Sequence, residues 1–334
     1  MSRIVKIPRH PRRLTSLAVT GALVLAMAPA PAAPAAAAAR FKKADNGSSI
    51  TAYKWLTKDK RRLDVAVRSK GLGKTEKVRI LLPKGWKKNT KKTWPVVYLL
   101  HGGRAGYQSW SKSSTITKLA AEWGVIVVMP EGRNGSYTNW YNYGNYGIPQ
   151  WETFHMTEVF QLVQRNFHAG SRRAVIGNSS GGQGAITYAA RYKGRFKYAA
   201  SFSGLLSLLS PGVPDALKQV NSGNADINAI YGDPETNRDN WVAHDPYSLA
   251  GNLRGTKLYF TSGSGAPIPT DVAFFSEYVV GMTNGDFKKR LQALKIAHKS
   301  HIYSGGTHAW PYWKRELKKA WPTAMKTLKA KKTG

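Results

Sequence analysis

Residues 174–185 read Ala-Val-Ile-Gly-Asn-Ser-Ser-Gly-Gly-Gln-Gly-Ala. A short β-branched run leads into Gly-x-Ser-x-Gly and then into small residues at the start of a predicted helix. This pattern is typical of a sharp strand-to-helix turn that exposes a serine hydroxyl. The positions two before and two after that serine must be very small, because larger side chains would collide across the turn. Gly177 and Gly181 meet this condition for Ser179, whereas an asparagine lies two residues before Ser180.

The pattern alone is weak evidence, because a chain with 32 glycines produces it readily by chance. A serine hydroxyl becomes an effective nucleophile only when a histidine takes its proton and a carboxylate orients that histidine. Where such a turn carries the nucleophile, the chain order is serine, acid, histidine. The interpretation therefore depends on an acid and a histidine that follow residue 185.

Strands and helices alternate along most of the chain after a polar lead-in that reaches about residue 60. Alternating or continuous apolar runs predict strands near residues 63–67, 78–82, 94–100, 125–129, 174–178, 198–203, 257–262 and 302. Helices are predicted near residues 116–123, 156–167, after 182, and near 272–282, 283–294 and 310–321. This order predicts an α/β fold with one doubly wound, mostly parallel sheet and helices on both faces. Residues 205–241, rich in Gly, Pro and Asn, are predicted to be an irregular insertion that covers the site.

Three histidines follow the candidate acids. His298 and His301 lie on or beside the last predicted strand, so their side chains would point sideways. His308 lies in a glycine-containing loop after that strand, where the carboxyl edge of the sheet opens. His308 is therefore the predicted general base.

Spacing leaves the acid open between Asp271, shortly after the strand at residues 257–262, and Glu277, on the following helix. Asp245 precedes a proline and is interpreted as a turn former. Asp286 is interpreted as the start of a helix. The loop after the strand at residues 94–100 is predicted to supply one oxyanion N–H and Ser180 the other.

Several further segments carry a family resemblance. They are Leu99-Leu100-His101-Gly102-Gly103-Arg104-Ala105, Val127-Val128-Met129-Pro130-Glu131-Gly132, Trp151-Glu152-Thr153-Phe154, Gly177–Gly182 and Gly306-Thr307-His308-Ala309-Trp310-Pro311-Tyr312-Trp313. In order and spacing they resemble the antigen 85 mycolyltransferases and the related esterase D-type serine hydrolases, which are α/β-hydrolases with a Ser-Glu-His triad.

The resemblance implies that Ser179 is the nucleophile, His308 the base and Glu277 the acid, because Ala273-Phe274-Phe275-Ser276-Glu277 matches the family's Phe-rich segment. It implies oxyanion donors at Gly103 and Ser180. The expected substrate-binding residues are Arg104, His101, Trp140 and Trp310. His101 stands where the antigen 85 family has a sugar-binding Asp. The segment Gly181-Gly182-Gln183-Gly184-Ala185, after the serine turn, is closer to the esterase D pattern. Mycolyl transfer to trehalose is thus one expected activity beside general ester hydrolysis.

The first 39 residues are predicted to be a signal peptide cleaved near Ala39, because five basic residues precede an apolar run that ends in an Ala-rich tract. Arg12-Arg13 leaves Sec and twin-arginine export both open. Residues 40–334 are predicted to form a single domain. The predicted location is extracellular, with weak attachment to a cell wall.

The formal charge is +33, and five of those cations lie in the first 39 residues, which leaves +28 for the remainder. This excess indicates either a solvated surface or weak attraction to anionic cell-wall polymers. The dispersed lysines match no nucleic-acid module, so no specific nucleic-acid partner is expected. The chain has no cysteine, which excludes disulfides and thiolate chemistry. No cofactor, metal site or transmembrane segment is expected.

The sequence therefore predicts a secreted serine esterase or acyltransferase whose partners are an acyl ester and, for transfer, a sugar acceptor. The rival hypothesis is a non-catalytic protein that binds polyanions or a cell wall through its charge.

Overall fold

The computed structural model describes residues 41–142, 149–221, 227–268 and 270–333. The predicted signal peptide and its cleavage site near Ala39 lie outside these residues. Within the described ranges, no helix is long and apolar enough to cross a membrane.

Nine strands of the described chain form one sheet in the order β1-β2-β3-β5-β4-β6-β7-β8-β9. The strands are β1 Ser49–Trp55, β2 Arg62–Arg68, β3 Thr75–Leu81, β4 Trp94–Leu100, β5 Ile126–Pro130, β6 Ala169–Asn178, β7 Tyr198–Phe202, β8 Lys257–Gly263 and β9 His298–Tyr303. β1, β2 and β3 pair antiparallel, and β3 pairs antiparallel with β5. The other six strands run parallel to one another. The predicted mostly parallel sheet is confirmed.

The helices cover both faces of this sheet. They are α1 Ser109–Ser113, α2 Ile116–Ala121, α3 Trp151–Thr153, α4 Phe160–Phe167, α5 Ser180–Arg191, α6 Val213–Asn221, α7 Ile227–Tyr231, α8 Arg238–Val242, α9 Val272–Ala293 and α10 Trp310–Thr327. A π-helical turn at Phe154–Val159 joins α3 to α4, and a 3₁₀ turn at Ala250–Leu253 precedes β8.

Alternation along β4 divides the core into two layers. Val96, Tyr98 and Leu100 face the layer that contains apolar residues of α4, α5 and α9. Val97 and Leu99 face the layer that contains apolar residues of α1, α2 and α10. Every residue of β4 is buried, because parallel strands are covered on both sides.

The structure corrects three predictions about elements. The lead-in contains the edge strand β1, and residues 205–241 contain α6, α7 and α8 rather than irregular chain alone. α9 is one continuous helix, so Asp286 lies in its middle and does not start a helix. The short helices α7 and α8 are stabilised by a small apolar cluster of their own, which includes Ile230, Tyr231 and Trp241.

Candidate active site

The chain turns sharply between β6 and α5 at Ser179. Its backbone has φ 53° and ψ −129°, a conformation that costs a non-glycine residue energy and clusters at functional sites. The Ser179 N–H donates to the Phe202 carbonyl at 2.8 Å, which fixes the turn against β7. A Cβ atom added at Gly177 would lie 2.0 Å from the Gly181 carbonyl oxygen, and one added at Gly181 would lie 2.4 Å from the Leu100 oxygen. Neither position has room for a side chain.

A loop and a helix at the carboxyl edge bring an imidazole and a carboxylate to this serine. His308 lies between β9 and α10, and its Nε2 lies 2.7 Å from Ser179 Oγ. Its Nδ1 lies 2.8 Å from Oε2 of Glu277, which projects from the second turn of α9. The His308 backbone N–H donates to the Ala273 carbonyl at 3.1 Å, so the histidine loop is attached to the same helix. The three side chains form one continuous hydrogen-bonded path.

The Glu277 carboxylate is completely buried. Its Oε1 accepts hydrogen bonds from the Gly263 N–H at 2.6 Å and from Ser203 Oγ at 2.8 Å. Ser203 in turn accepts from the indole N–H of Trp313 at 3.1 Å. Buried charge is tolerated only when its oxygens are this fully partnered, and the partners also fix the rotamer that faces His308.

Two other acidic residues considered above, Asp271 and Asp245, stabilise the local backbone. Asp271 caps α9, because its carboxylate accepts from the N–H groups of Ala273 and Phe274. Asp245 accepts from the N–H groups of Ser248 and Leu208, as expected of a turn former. Spacing therefore left open two acids, of which the structure brings only Glu277 to His308.

The other two histidines that were candidates for the base, His298 and His301, contact other groups than Ser179. His301 Nδ1 lies 3.2 Å from Glu316, and His298 Nδ1 lies 2.9 Å from the Ile296 carbonyl.

Two backbone N–H groups border Ser179. Gly103 lies in the loop after β4, close to Ser180, and Ser180 is the first residue of α5. In the described part of the chain neither N–H has an acceptor within the protein. Arg104 adopts φ 56°, and its N–H donates to Asn134 Oδ1 at 2.8 Å, which fixes the Gly103 peptide. The free end of α5 adds the positive pole of the helix dipole, so this position favours negative charge.

His101 is not available to a substrate, which corrects the prediction that it binds one. Its side chain is 1% exposed and lies under the loop. Nδ1 lies 2.7 Å from the Gly102 carbonyl, and Nε2 lies 2.8 Å from the Gly132 N–H and 3.1 Å from Glu131 Oε1. Both nitrogens are occupied, so His101 supports the loop from below.

Glu131 is the partner that determines the position of His101. Burial alone would raise the pKa of Glu131, but the hydrogen bond and charge of His101 and the N–H groups of Arg133 and Tyr107 outweigh it and lower the pKa to about 2. Because Glu131 also accepts from the Tyr107 N–H, it links both ends of the loop that carries Gly103.

The three other predicted substrate-binding residues differ in their surroundings. Arg104 is exposed beside Gly103. Trp310 is half-buried and packs edge to face on Trp110 at 5.2 Å and on Trp313 at 5.3 Å, and Trp313 packs on His308 at 5.1 Å. The Trp140 indole N–H donates to the Gly135 carbonyl, and its ring joins two apolar clusters. Substrate contact by these three residues stays a prediction.

Sequence reasoning missed the residues that position the site. Ser203 and Gly263 fix Glu277, and Asn134 fixes the loop that carries Gly103. Ser203 and Gly263 end or follow β7 and β8 at the carboxyl edge, where functional groups of such sheets collect, and this signal could have identified them. Glu131 lies in the segment 127–132 that carries the family resemblance, although that pattern does not reveal its contact with His101, and no motif marks Asn134.

The fold and this serine turn define the chain as an α/β-hydrolase. The sequence profile of the esterase family matches residues 69–324, and the chain belongs to that family. An esterase of Mycobacterium tuberculosis H37Rv, Rv1288, is 31% identical over 240 residues, which cover 69% of this chain and 52% of the relative. The chain thus spans about half the length of that relative.

A diacylglycerol acyltransferase/mycolyltransferase, Ag85C of Mycobacterium avium, is 31% identical over 256 residues, 70% of each protein. Solved structures show the same fold. MPT51 (FbpC1) of Mycobacterium tuberculosis has a TM-score of 0.66 at 23% identity and covers 83% of this chain and 99% of its own. An S-formylglutathione hydrolase from Agrobacterium tumefaciens has a TM-score of 0.66 at 18% identity and covers 84% and 99%. The resemblance to antigen 85 and the α/β-hydrolase fold are confirmed.

Proposed function

We propose that this protein is a serine esterase or acyltransferase that cleaves acyl esters through an acyl-enzyme on Ser179. The observation that carries the proposal is the hydrogen-bonded path from Ser179 Oγ through His308 to the buried Glu277, beside two N–H groups that have no acceptor among the described residues. Membership in the esterase family supports the same reaction class.

The proposed reaction has two halves. Ser179 Oγ attacks the ester carbonyl carbon while His308 Nε2 takes the hydroxyl proton, and Glu277 stabilises the resulting imidazolium. The tetrahedral oxyanion accepts hydrogen bonds from the N–H groups of Gly103 and Ser180, each worth about 10²–10³ in rate. Collapse breaks the ester C–O bond, and the leaving alkoxide takes the proton from His308. An acceptor hydroxyl then attacks the acyl-enzyme by the same steps in reverse.

The nucleophile is tested with Ser179→Ala and its neighbour Ser180→Ala on a p-nitrophenyl ester. Ser179→Ala should lower kcat by roughly 10⁴–10⁶, because the covalent path disappears. Ser180→Ala retains its backbone N–H and should stay within about tenfold of wild type. Labelling by a serine-directed phosphonate should depend on Ser179. Activity that survives Ser179→Ala, or a wild type that neither turns over nor labels, would contradict the proposal, and the latter would favour a non-catalytic polyanion binder.

Transfer to a sugar hydroxyl, including mycolyl transfer to trehalose, is the second candidate. Its support is the antigen 85 relatives, whose names state acyltransferase activity, and the exposed Arg104 beside Gly103. Half-buried Trp310 and the indoles around it would limit access of water to the acyl-enzyme. The same ester is therefore incubated with trehalose, and the products are read by mass spectrometry. An acylated sugar supports transfer, whereas free acid alone supports hydrolysis.

We further propose that the enzyme acts after export and that it attaches only weakly to the cell wall. The support is the basic N-terminus followed by the apolar run and the small residues up to Ala39.

A further inference from the structure

A cleft separate from the serine site lies at the end of the sheet opposite Ser179, where the parallel strands begin. It is formed by segments that precede parallel strands, namely the β3–β4 loop and the end of α4 before β6, together with β1 and the β1–β2 turn. Its volume is about 1040 Å³. Small-molecule sites commonly enclose about 300–1,000 Å³, so this cleft has room for an extended ligand. We call it the basal groove; its lining includes Phe41, Tyr53, Trp55, Trp86, Phe167, Asp59 and the cations named below.

Aromatic rings form the walls of the basal groove. Phe41, Tyr53, Trp55 and Trp86 are partly exposed there and pack against the core behind them. Trp86 is fixed by a hydrogen bond from its indole N–H to the Phe167 carbonyl at 2.9 Å. Because the rings are already held in place, a ligand that lies on them orders few side chains on binding.

Cations surround these rings. The lining includes Lys42, Lys60, Arg61, Lys84, Lys87 and Lys88, and none of these has an ion-pair partner in the described part of the chain. Arg165, also in the lining, pairs with Asp45 outside it. Asp59 is the one carboxylate among the described lining residues. Such a cluster produces a local positive potential that attracts anions and is screened by salt.

Charge decides among the possible occupants. Residues 1–40 contain six basic and no acidic residues, and a second copy carries the same +33, so neither complements the groove. The walls hold both ring geometries: Tyr53 meets Phe41 at 82° and Trp55 at 80°, whereas the Phe167 ring lies at 29° to that of Phe41. Because the dispersed lysines match no nucleic-acid module, an anionic polymer of another class is favoured, and poly(dT) serves as a comparison polymer in the test.

We propose that the basal groove binds an anionic polysaccharide. Sugar rings lie with their apolar C–H faces against Trp55 and Trp86, while the acid groups of the polymer meet Lys84, Lys87 and Lys88 on the rim. Because the triad lies at the other edge of the sheet, the bound polymer leaves the catalytic edge open. The proposal does not depend on the reaction at Ser179.

The test measures binding of polygalacturonate and dextran sulfate by calorimetry at low and high salt, with uncharged dextran and poly(dT) as comparison polymers. Wild type should bind the two anionic glycans, more weakly at high salt. Lys84→Glu/Lys87→Glu/Lys88→Glu and Trp55→Ala/Trp86→Ala should each weaken binding at least about tenfold. The matched control Lys288→Glu/Lys318→Glu/Lys326→Glu makes the same change in net charge on exposed lysines outside the groove.

The control should stay within about threefold of wild type, because its lysines do not touch the polymer. Thermal unfolding shows which variants are folded, and the surface lysine triple tests the groove even if the tryptophan pair unfolds. Equal loss in the groove triple and the control would overturn the proposal in favour of unspecific charge attraction. Unchanged binding in the groove variants would overturn it too, as would groove-dependent binding of poly(dT) without binding of either glycan.

Discussion

Asp271 and Glu277 are six residues apart in the sequence, yet they have different roles. Asp271 accepts from the first N–H groups of α9, a role that suits Asp or Asn equally. Glu277 is fully buried and accepts from Gly263, Ser203 and His308. In the proposed reaction, a carboxylate in that position would fix the tautomer of His308 and stabilise the imidazolium that forms during attack.

Glu277→Gln is expected to lower kcat by about 10²–10⁴, because the amide has nearly the same shape but not the charge. Asp271→Asn keeps a good N-cap and should alter kcat by less than about threefold. Both are measured with the p-nitrophenyl ester used for Ser179. A larger loss in Asp271→Asn than in Glu277→Gln would return the acid role to Asp271.

At this scale the sequence was informative where chemistry demands a residue type. Ser179 and His308 could be selected from glycine spacing and chain order, and the structure brings them within 2.7 Å. Burial of His101 could not be predicted, because it depends on Glu131 thirty residues later and on the Gly132 N–H. A histidine beside a glycine loop has the same sequence pattern whether it faces the substrate or lies under the loop.

The β6–α5 element depends on close backbone approach. Gly177→Ala would place a Cβ 2.0 Å from the Gly181 oxygen, a contact that only movement of the turn could relieve. We expect a loss of about 2 kcal/mol or more in the free energy of unfolding, or failure to fold. Gly285→Ala is the matched control, since it lies inside α9 with nothing within 4 Å of the added Cβ, and it should stabilise by about 0.5–1 kcal/mol. Urea unfolding measures both, and an unimpaired Gly177→Ala would show that the turn has more freedom than this geometry allows.

Elements were predictable where local pattern and final packing agree. The runs that became β4 and β5 are apolar throughout, and burial on both faces requires that. α7 and α8 escaped prediction because each has five residues, too few for a period, and because tertiary packing around Trp241 stabilises them. β1 escaped because it is an edge strand in which Ile50 is the one fully buried residue of seven.

Over the whole molecule, the sheet separates two kinds of chemistry. Loops at the carboxyl ends of the strands carry the proposed ester chemistry, and loops at the amino ends carry the basal groove. The excess positive charge is therefore not spread evenly over the surface. Part of it lies around exposed aromatic rings. A surface that only maintained solubility would have no need to combine cations with exposed rings.

Acid stability depends on two buried groups behind the loop that carries Gly103, namely His155 and Glu131. Burial, with the charge of His101 a lesser cause, lowers the pKa of His155 from 6.5 to about 4, although its hydrogen bond to the Glu131 carbonyl and the Glu131 charge oppose this. The pKa of Glu131 is held at about 2 against an ordinary 4.5. Both pKa values are lower in the folded protein than in the unfolded chain, so the unfolded chain binds more protons and stability falls as pH falls. Protonation of His155 lowers the stability as pH falls from 6.5 to 4, and protonation of Glu131 lowers it as pH falls from 4.5 to 2.

Wild type should therefore lose on the order of 2–3 kcal/mol of unfolding free energy through His155 as pH falls from 7.5 to 4. His155→Gln can still donate to the Glu131 carbonyl and accept from Tyr188, but it does not titrate. It should be less stable than wild type at pH 7.5, because the amide fills the site less well, yet its stability should fall less steeply down to pH 4. Urea unfolding at pH 7.5, 6.5, 5.5 and 4.5 measures both slopes. Equal slopes in this range would show that His155 is not the group that couples protons to folding.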